Sequence, residues 1–172
     1  MFTIVIIVKM KKLSELLIEG LNEYNHKEYL KWKRNNVTIR GVKEVGQENG
    51  GGGMVGLGLY TAPLSNKALA KQYGKVYFVL NAIPKKPLVV DSLNAWEIWS
   101  QRNLFMMFSD DNHPNQREFH KRTTVEAEIQ KMGYDGVIIK GREMVNYNPP
   151  DNVMFFENER QLQMYYEDMI IN

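Results

Sequence analysis

Four short stretches of this chain hold residues that could do chemistry. "TIRGV" sets Arg40 beside Gly41. A guanidinium offers planar, paired donors to a phosphate, and a glycine lets a ligand reach bare backbone. The plainer reading is a surface arginine next to a turn. "GLGLYTA" puts Tyr60 behind Gly56 and Gly58. It is not a dinucleotide fingerprint, because Tyr60-Thr61 stand where the last glycine spacing should be and no βαβ unit follows. It is not a phosphate-binding P-loop either, since the Gly-Lys-Ser/Thr end is missing. Alone, it reads as a strand that leaves a flexible loop. "KGREMVNYN" opens a strand at Glu143. A single carboxylate there is ordinarily solvated, and it gains meaning only if Arg40 and Tyr60 lie beside it. "TVEAEIQ" places Glu126 and Glu128 two apart in a helix, pointing to different sides, which fits a solvated helix surface.

Composition narrows the chemistry. The chain has 172 residues, 44% of them hydrophobic, enough for one domain with a sizeable core. There is no cysteine, so disulfides and cysteine zinc sites are excluded. His26, His113 and His120 are scattered, which speaks against a histidine metal cluster. A net charge of +2 does not by itself argue for nucleic acid. Lys31, Lys33 and Arg34 around Trp32 read as a solvated helix end before a nucleic-acid contact. The apolar run Ile4 to Val8 is too short to span a bilayer and lacks the flanks of a signal peptide. It fits a first strand, or it precedes a natural start at Met10.

The elements that must position these groups follow from periodicity. Lys11 to Lys33 has apolar residues at helical spacing, and Asn35-Asn36 ends it. "VTIRGV" reads as a strand with Val37 and Ile39 on one face. Gln47 to Val55 contains four consecutive glycines and predicts a mobile loop that could close over a ligand. A strand over Leu57–Ala62 is stopped by Pro63, and Ser65 is the expected cap of a helix running to about Tyr73. "KVYFVLNAI" and "PLVVD" are strands. "SLNAWEIWSQRNLFMMF" is a helix with Leu93, Trp96, Trp99 and Leu104 on its apolar stripe. "SDDNHPNQ" is a polar loop, and "REFHKRTTVEAEIQKMGYD" is mostly helix, ending at Gly133. "GVIIK", "EMVNYN" and "NVMFFE" are three short strands, and the tail is helical. Strands around a few helices without regular βαβ alternation predict an α+β fold.

Taken in order, these motifs resemble the ADP-ribosyltransferase fold. "GLGLYTAPLSNKALAKQY" is similar to the Gly-x-Gly-Ile-Tyr-Phe-Ala strand and serine-led helix of the poly(ADP-ribose) polymerase branch, and "EMVNYN" to its glutamate-led strand. "YFVLNAIPKKPLVVD", "YDGVIIKG" and "EMVNYNP" resemble small transferase-like domains of phage polyvalent proteins. The resemblance runs from about Val37 to Phe156. It implies a split mixed β-sheet core with flanking helices over residues 37–172, preceded by an N-terminal strand and helical extension over residues 1–36. It implies a NAD-dependent ADP-ribosyltransferase, with NAD as substrate, no metal and no membrane. The location implied is cytoplasmic: the host cytoplasm, or a virion, if the chain is phage-encoded.

Carried over position by position, the resemblance makes Arg40, Tyr60 and Glu143 the catalytic triad. Arg40, Gly41, Tyr60, Thr61, Ser65 and Tyr73 become the NAD-binding residues, with the Gly41 backbone on the nicotinamide amide and Tyr73 stacked on its ring. Arginine with tyrosine and glutamate is a mixed triad. Gly141 stands where arginine-modifying relatives carry a second acid, which argues against arginine as the acceptor. The acceptor is left open among protein side chain, nucleic acid and small molecule, with protein ahead of nucleic acid. Two rival readings share the pocket: a NAD glycohydrolase, and a catalytically silent binding or virion-associated protein.

Overall fold

A computed structural model describes residues 23–43, 51–104 and 122–172 of the chain. The expected N-terminal strand, the start of the first helix, Gln47 to Gly50, and the "SDDNHPNQ" loop lie outside the described residues. The described chain is α+β. Helix α1 covers residues 23–36 and passes directly into β1, Val37–Val42. Then come β2 (Gly51–Gly53), β3 (Gly56–Thr61), α2 (Lys67–Lys71), β4 (Lys75–Leu80), β5 (Pro87–Val90) and α3 (Leu93–Leu104). After them follow α4 (Val125–Lys131), β6 (Gly136–Ile139), β7 (Glu143–Asn146), β8 (Met154–Phe156) and α5 (Glu159–Ile171).

Two sheets result. One has the order β1-β4-β8 and is antiparallel throughout. The other is mixed, in the order β2-β3-β7-β6-β5, with β5 and β6 parallel and every other pair antiparallel. The parallel pair needs a crossover, and α3 and α4 lie within it. β7, late in the chain, is the middle strand of the five.

Alternation along the strands decides which face each helix covers. Val37 and Ile39 of β1 share a face with Leu80 and Phe78 of β4 and with Phe156 of β8. That face takes Leu162 of α5 and Trp32 of α1 at one end, and Ala70 and Leu69 of α2 at the other. Tyr29 and Trp32 of α1 and Tyr166 of α5 add a ring cluster, with centroids 4.8 to 6.2 Å apart. The opposite face presents Val79 and Phe155 to Leu59 of the second sheet. On the second sheet's far side, Trp96 and Ile129, both fully buried, press α3 and α4 onto Val90, Val137, Ile139 and Val145. Burial of each such large apolar side chain is worth about 1.5–3 kcal/mol.

Two expectations need correcting. Gly51–Gly53 form strand β2, in a hairpin closed by the two residues Met54-Val55. The physical reason is a close approach. A Cβ on Gly53 would sit 2.7 Å from the Tyr60 hydroxyl, so the glycine lets the phenol pack flat against the strand. The cap of α2 is Asn66, whose side chain accepts the Leu69 N–H at 3.3 Å; Ser65 lies one residue early, in the turn closed by the Asn66 N–H on Pro63 O. The stretch read as mostly helix is described from Arg122 on: Thr123 and Thr124 are not helical, and α4 starts from the Thr124 hydroxyl, which accepts the Ala127 N–H.

Candidate functional site

Among the described residues, one backbone bridge joins the two sheets. Ile39 N–H donates to Ala62 O at 2.9 Å, and Ala62 N–H donates to Ile39 O at 2.7 Å. Beyond it β1 and β3 part. Continued pairing would set Arg40 against Thr61 and Gly41 against Tyr60. Instead the strands splay, and a cavity of about 220 Å³ opens between them. Its wall includes Arg40, Gly41, Tyr60, Thr61, Tyr73 and Glu143. Ile39, Ala62, Leu69 and Ala70 give it an apolar floor, and Gly53, Met54 and Arg142 complete it.

Arg40 spans the split. Its Nη1 donates to Tyr60 O at 2.7 Å, fixing the guanidinium across the gap that the backbone leaves open. The next residue faces the cavity with its backbone. Peptide groups alternate sides along a strand, and Ile39 turns both of its groups toward β3. Gly41, two residues on, therefore turns its N–H and C=O the same way, away from β4. Gly41 also has a packing role: a Cβ there would lie 1.8 Å from the Ala70 carbonyl oxygen. Only a glycine lets α2 come this close to β1.

Tyr60 and Glu143 project from the same face of the second sheet, since Tyr60 pairs with Val145 and Glu143 with Ile139. The Tyr60 hydroxyl donates to Gly56 O at 2.6 Å and accepts the Val55 N–H at 3.3 Å. Burial raises its pKa well above the usual phenol value, and the nearby Glu143 and Glu126 carboxylates add to the rise against the Val55 N–H. Tyr60 is therefore a neutral, fixed wall at physiological pH rather than an acid or a base. Thr61 faces the other way, is 4% exposed, and its hydroxyl has no hydrogen-bond partner among the described residues. The hydroxyl itself is out of reach of solvent, so Thr61 contributes bulk to this wall.

The Glu143 carboxylate is largely buried and stands 3.6 Å from Arg142 Nε, which makes no hydrogen bond among the described residues. Tyr73 lies in the turn just after α2, half exposed. An exposed aromatic at a cavity rim is a ready stacking surface. The assembled groups suit a ligand with a flat ring, hydroxyls for Glu143, and anionic oxygens for the arginines.

Of the seven residues that the resemblance assigned to the site, Ser65 alone does not line the cavity. It is exposed in the turn before α2. Glu126, expected to be solvated, accepts the Leu57 N–H at 3.1 Å. Together with the Tyr147 hydroxyl, which donates to Val55 O at 2.6 Å, it pins the β2–β3 hairpin. Arg142 and Asn66 were missed. Arg142 could have been found by adjacency to Glu143, and Asn66 by testing both polar residues after Pro63 as caps.

Among the described residues no group of three or more His, Asp or Glu is placed to hold a metal ion, and no helix is long and apolar enough to cross a membrane. Compared with known proteins, the chain matches no family model, no curated protein and no solved structure.

Proposed function

We propose that this chain is a NAD-dependent ADP-ribosyltransferase with the split-sheet core of that fold. One observation carries the reading. Arg40-Gly41, Tyr60-Thr61, Tyr73 and Glu143 come from four separate parts of the chain, and they line one cavity at the place where two sheets part. A cavity of this size takes the nicotinamide-ribose end of NAD, and the adenosine end lies outward.

Each wall then has a task. The Gly41 backbone pair suits a carboxamide, which needs one donor and one acceptor side by side. Tyr73 stacks on the nicotinamide ring. Thr61, which the resemblance also assigns to NAD, lines the wall beside Tyr60. Breaking the bond between the anomeric carbon and the ring nitrogen leaves positive charge on the ribose. The Glu143 carboxylate stabilises that charge through the ribose 2'-hydroxyl, and nicotinamide departs as a neutral base. The acceptor oxygen or nitrogen then bonds to the anomeric carbon. Arg40, held on Tyr60 O, keeps a phosphate in place and fixes the reacting bond.

A second reading has its own observation. Glu143 is already engaged by Arg142, and the Tyr60 hydroxyl is already committed to the hairpin. A carboxylate and a phenol engaged in this way suit a protein that binds NAD without turning it over. Incubating the protein with NAD labelled in the adenosine half, alone and with a cell lysate, decides. Nicotinamide release with label on an acceptor supports the transferase. Release without transfer makes it a glycohydrolase. Binding without release supports the silent form, and no binding removes all three.

A further inference from the structure

Two walls of the cavity are tied together by one side chain. The first wall is α2 with the turn that ends at Tyr73. The second is the loop between β6 and β7, which delivers Arg142 and Glu143. Asn66 lies between them. Its Oδ1 accepts the Leu69 N–H at 3.3 Å and caps α2. Its Nδ2 donates to Gly141 O at 3.1 Å and reaches Arg142 O at 3.4 Å. The amide orientation is settled by the partners, because Leu69 offers only a donor and the two carbonyls only accept.

We propose that Asn66 is a positioning residue of this site, holding the Glu143 loop in register with the Tyr73 wall. The inference rests on the transferase reading for its catalytic consequence only. β6 and β7 are joined by the three residues Lys140, Gly141 and Arg142, with Gly141 at φ 70°. The Arg142 N–H on Ile139 O and the Lys140 N–H on Val90 O hold that loop to its own sheet. Asn66 is what fastens it to the far side of the cavity. An aspartate or serine cap would hold α2 equally well. Neither offers a donor that reaches Gly141 O. The asparagine is thus the cap that serves both walls.

Asn66→Asp separates the two jobs, since an isosteric carboxylate still accepts the Leu69 N–H but cannot donate to Gly141 O. Amide hydrogen exchange on the ligand-free protein comes first. The variant should keep protection at Leu69 and Ala70, while amides from Arg142 to Met144 exchange roughly two- to tenfold faster. Asn66→Ala should lose protection at both places. In nicotinamide release, Asn66→Asp should lower kcat by about tenfold or more and change KM by less than about twofold, because a displaced Glu143 acts in the transition state. Unchanged exchange from Arg142 to Met144 in Asn66→Asp would overturn the proposal, as would loss at Leu69 equal to that of Asn66→Ala. If the wild-type protein releases no nicotinamide, the transferase reading fails, and the exchange contrast still decides the role of Asn66.

Discussion

Replacing Gly41 with alanine adds one methyl group at the tightest contact described in the cavity wall. The new Cβ would lie 1.8 Å from the Ala70 carbonyl oxygen, 2.8 Å from its carbon and 3.1 Å from the Tyr73 Cβ. Ordinary contact needs about 3.5 Å, so α2 must retreat from β1 by roughly 1.5 Å or more. The atoms met are backbone, and no side-chain rotation relieves them. Overpacking of this kind costs about 1–3 kcal/mol. At this chain length that lowers Tm by roughly 2–12 °C. The retreat also carries Tyr73 outward, since the Tyr73 N–H is bonded to Ala70 O. Two assays on Gly41→Ala follow: thermal unfolding by circular dichroism, and NAD affinity by calorimetry well below the new Tm. We expect both to suffer, with circular dichroism at low temperature unchanged. Intact Tm and intact affinity together would mean that α2 does not sit against β1, and the account of this wall would be wrong.

Glu143→Gln should leave the fold and NAD binding in place and reduce nicotinamide release by about 2.7–4 kcal/mol of transition-state stabilisation; turnover equal to wild type would remove Glu143 from the chemistry. Tyr73→Ala should weaken NAD binding by about 1 kcal/mol with an unchanged Tm, while Tyr73→Phe stays close to wild type in calorimetric titration. Stability should also fall in alkali. Burial pushes the Tyr29 phenol up to about 12, helped by the Glu159 and Glu167 carboxylates. The unfolded chain loses that proton from about pH 10, and the folded chain keeps it until about pH 12. Between those values the unfolded state binds fewer protons, so urea midpoints should drop as pH rises, and Tyr29→Phe should reduce the drop, the buried Tyr60 and Tyr147 phenols accounting for the rest. A midpoint independent of pH from 9 to 12 would contradict the burial of Tyr29.

Much of this fold is legible in the sequence because its signals are local. The β-branched run "VTIRGV", the proline after Ala62 and the glycine after Met132 mark ends that the structure keeps. The apolar stripe of α3 is also kept, with Trp96 and Leu104 buried and Leu93 and Trp99 packed at the edge. What failed depends on distant partners. Nothing local in four glycines says that a tyrosine seven residues beyond Gly53 will lie against them, yet that contact makes Gly51–Gly53 a strand. Glu126 likewise reads as solvated until the hairpin tip arrives beside it. The cavity residues could be named in advance only through motif order, because periodicity sets the face of a side chain but not which strand stands across from it. Ser65 shows the limit: resemblance pointed to a serine, and local geometry preferred the asparagine after it.

β7 stands in the middle of its sheet although it comes late in the chain. Tyr60 meets Val145 across 85 positions of sequence, and β8 closes the other sheet onto β4 at similar range. Long loops must therefore close before either sheet is complete, and such topologies form slowly. A growing chain on the ribosome that has emerged only as far as Lys140 has Arg40 and Tyr60 but no strand to bring Glu143 beside them. Assembly of the cavity therefore waits on β7, the strand that seats Glu143 beside Tyr60.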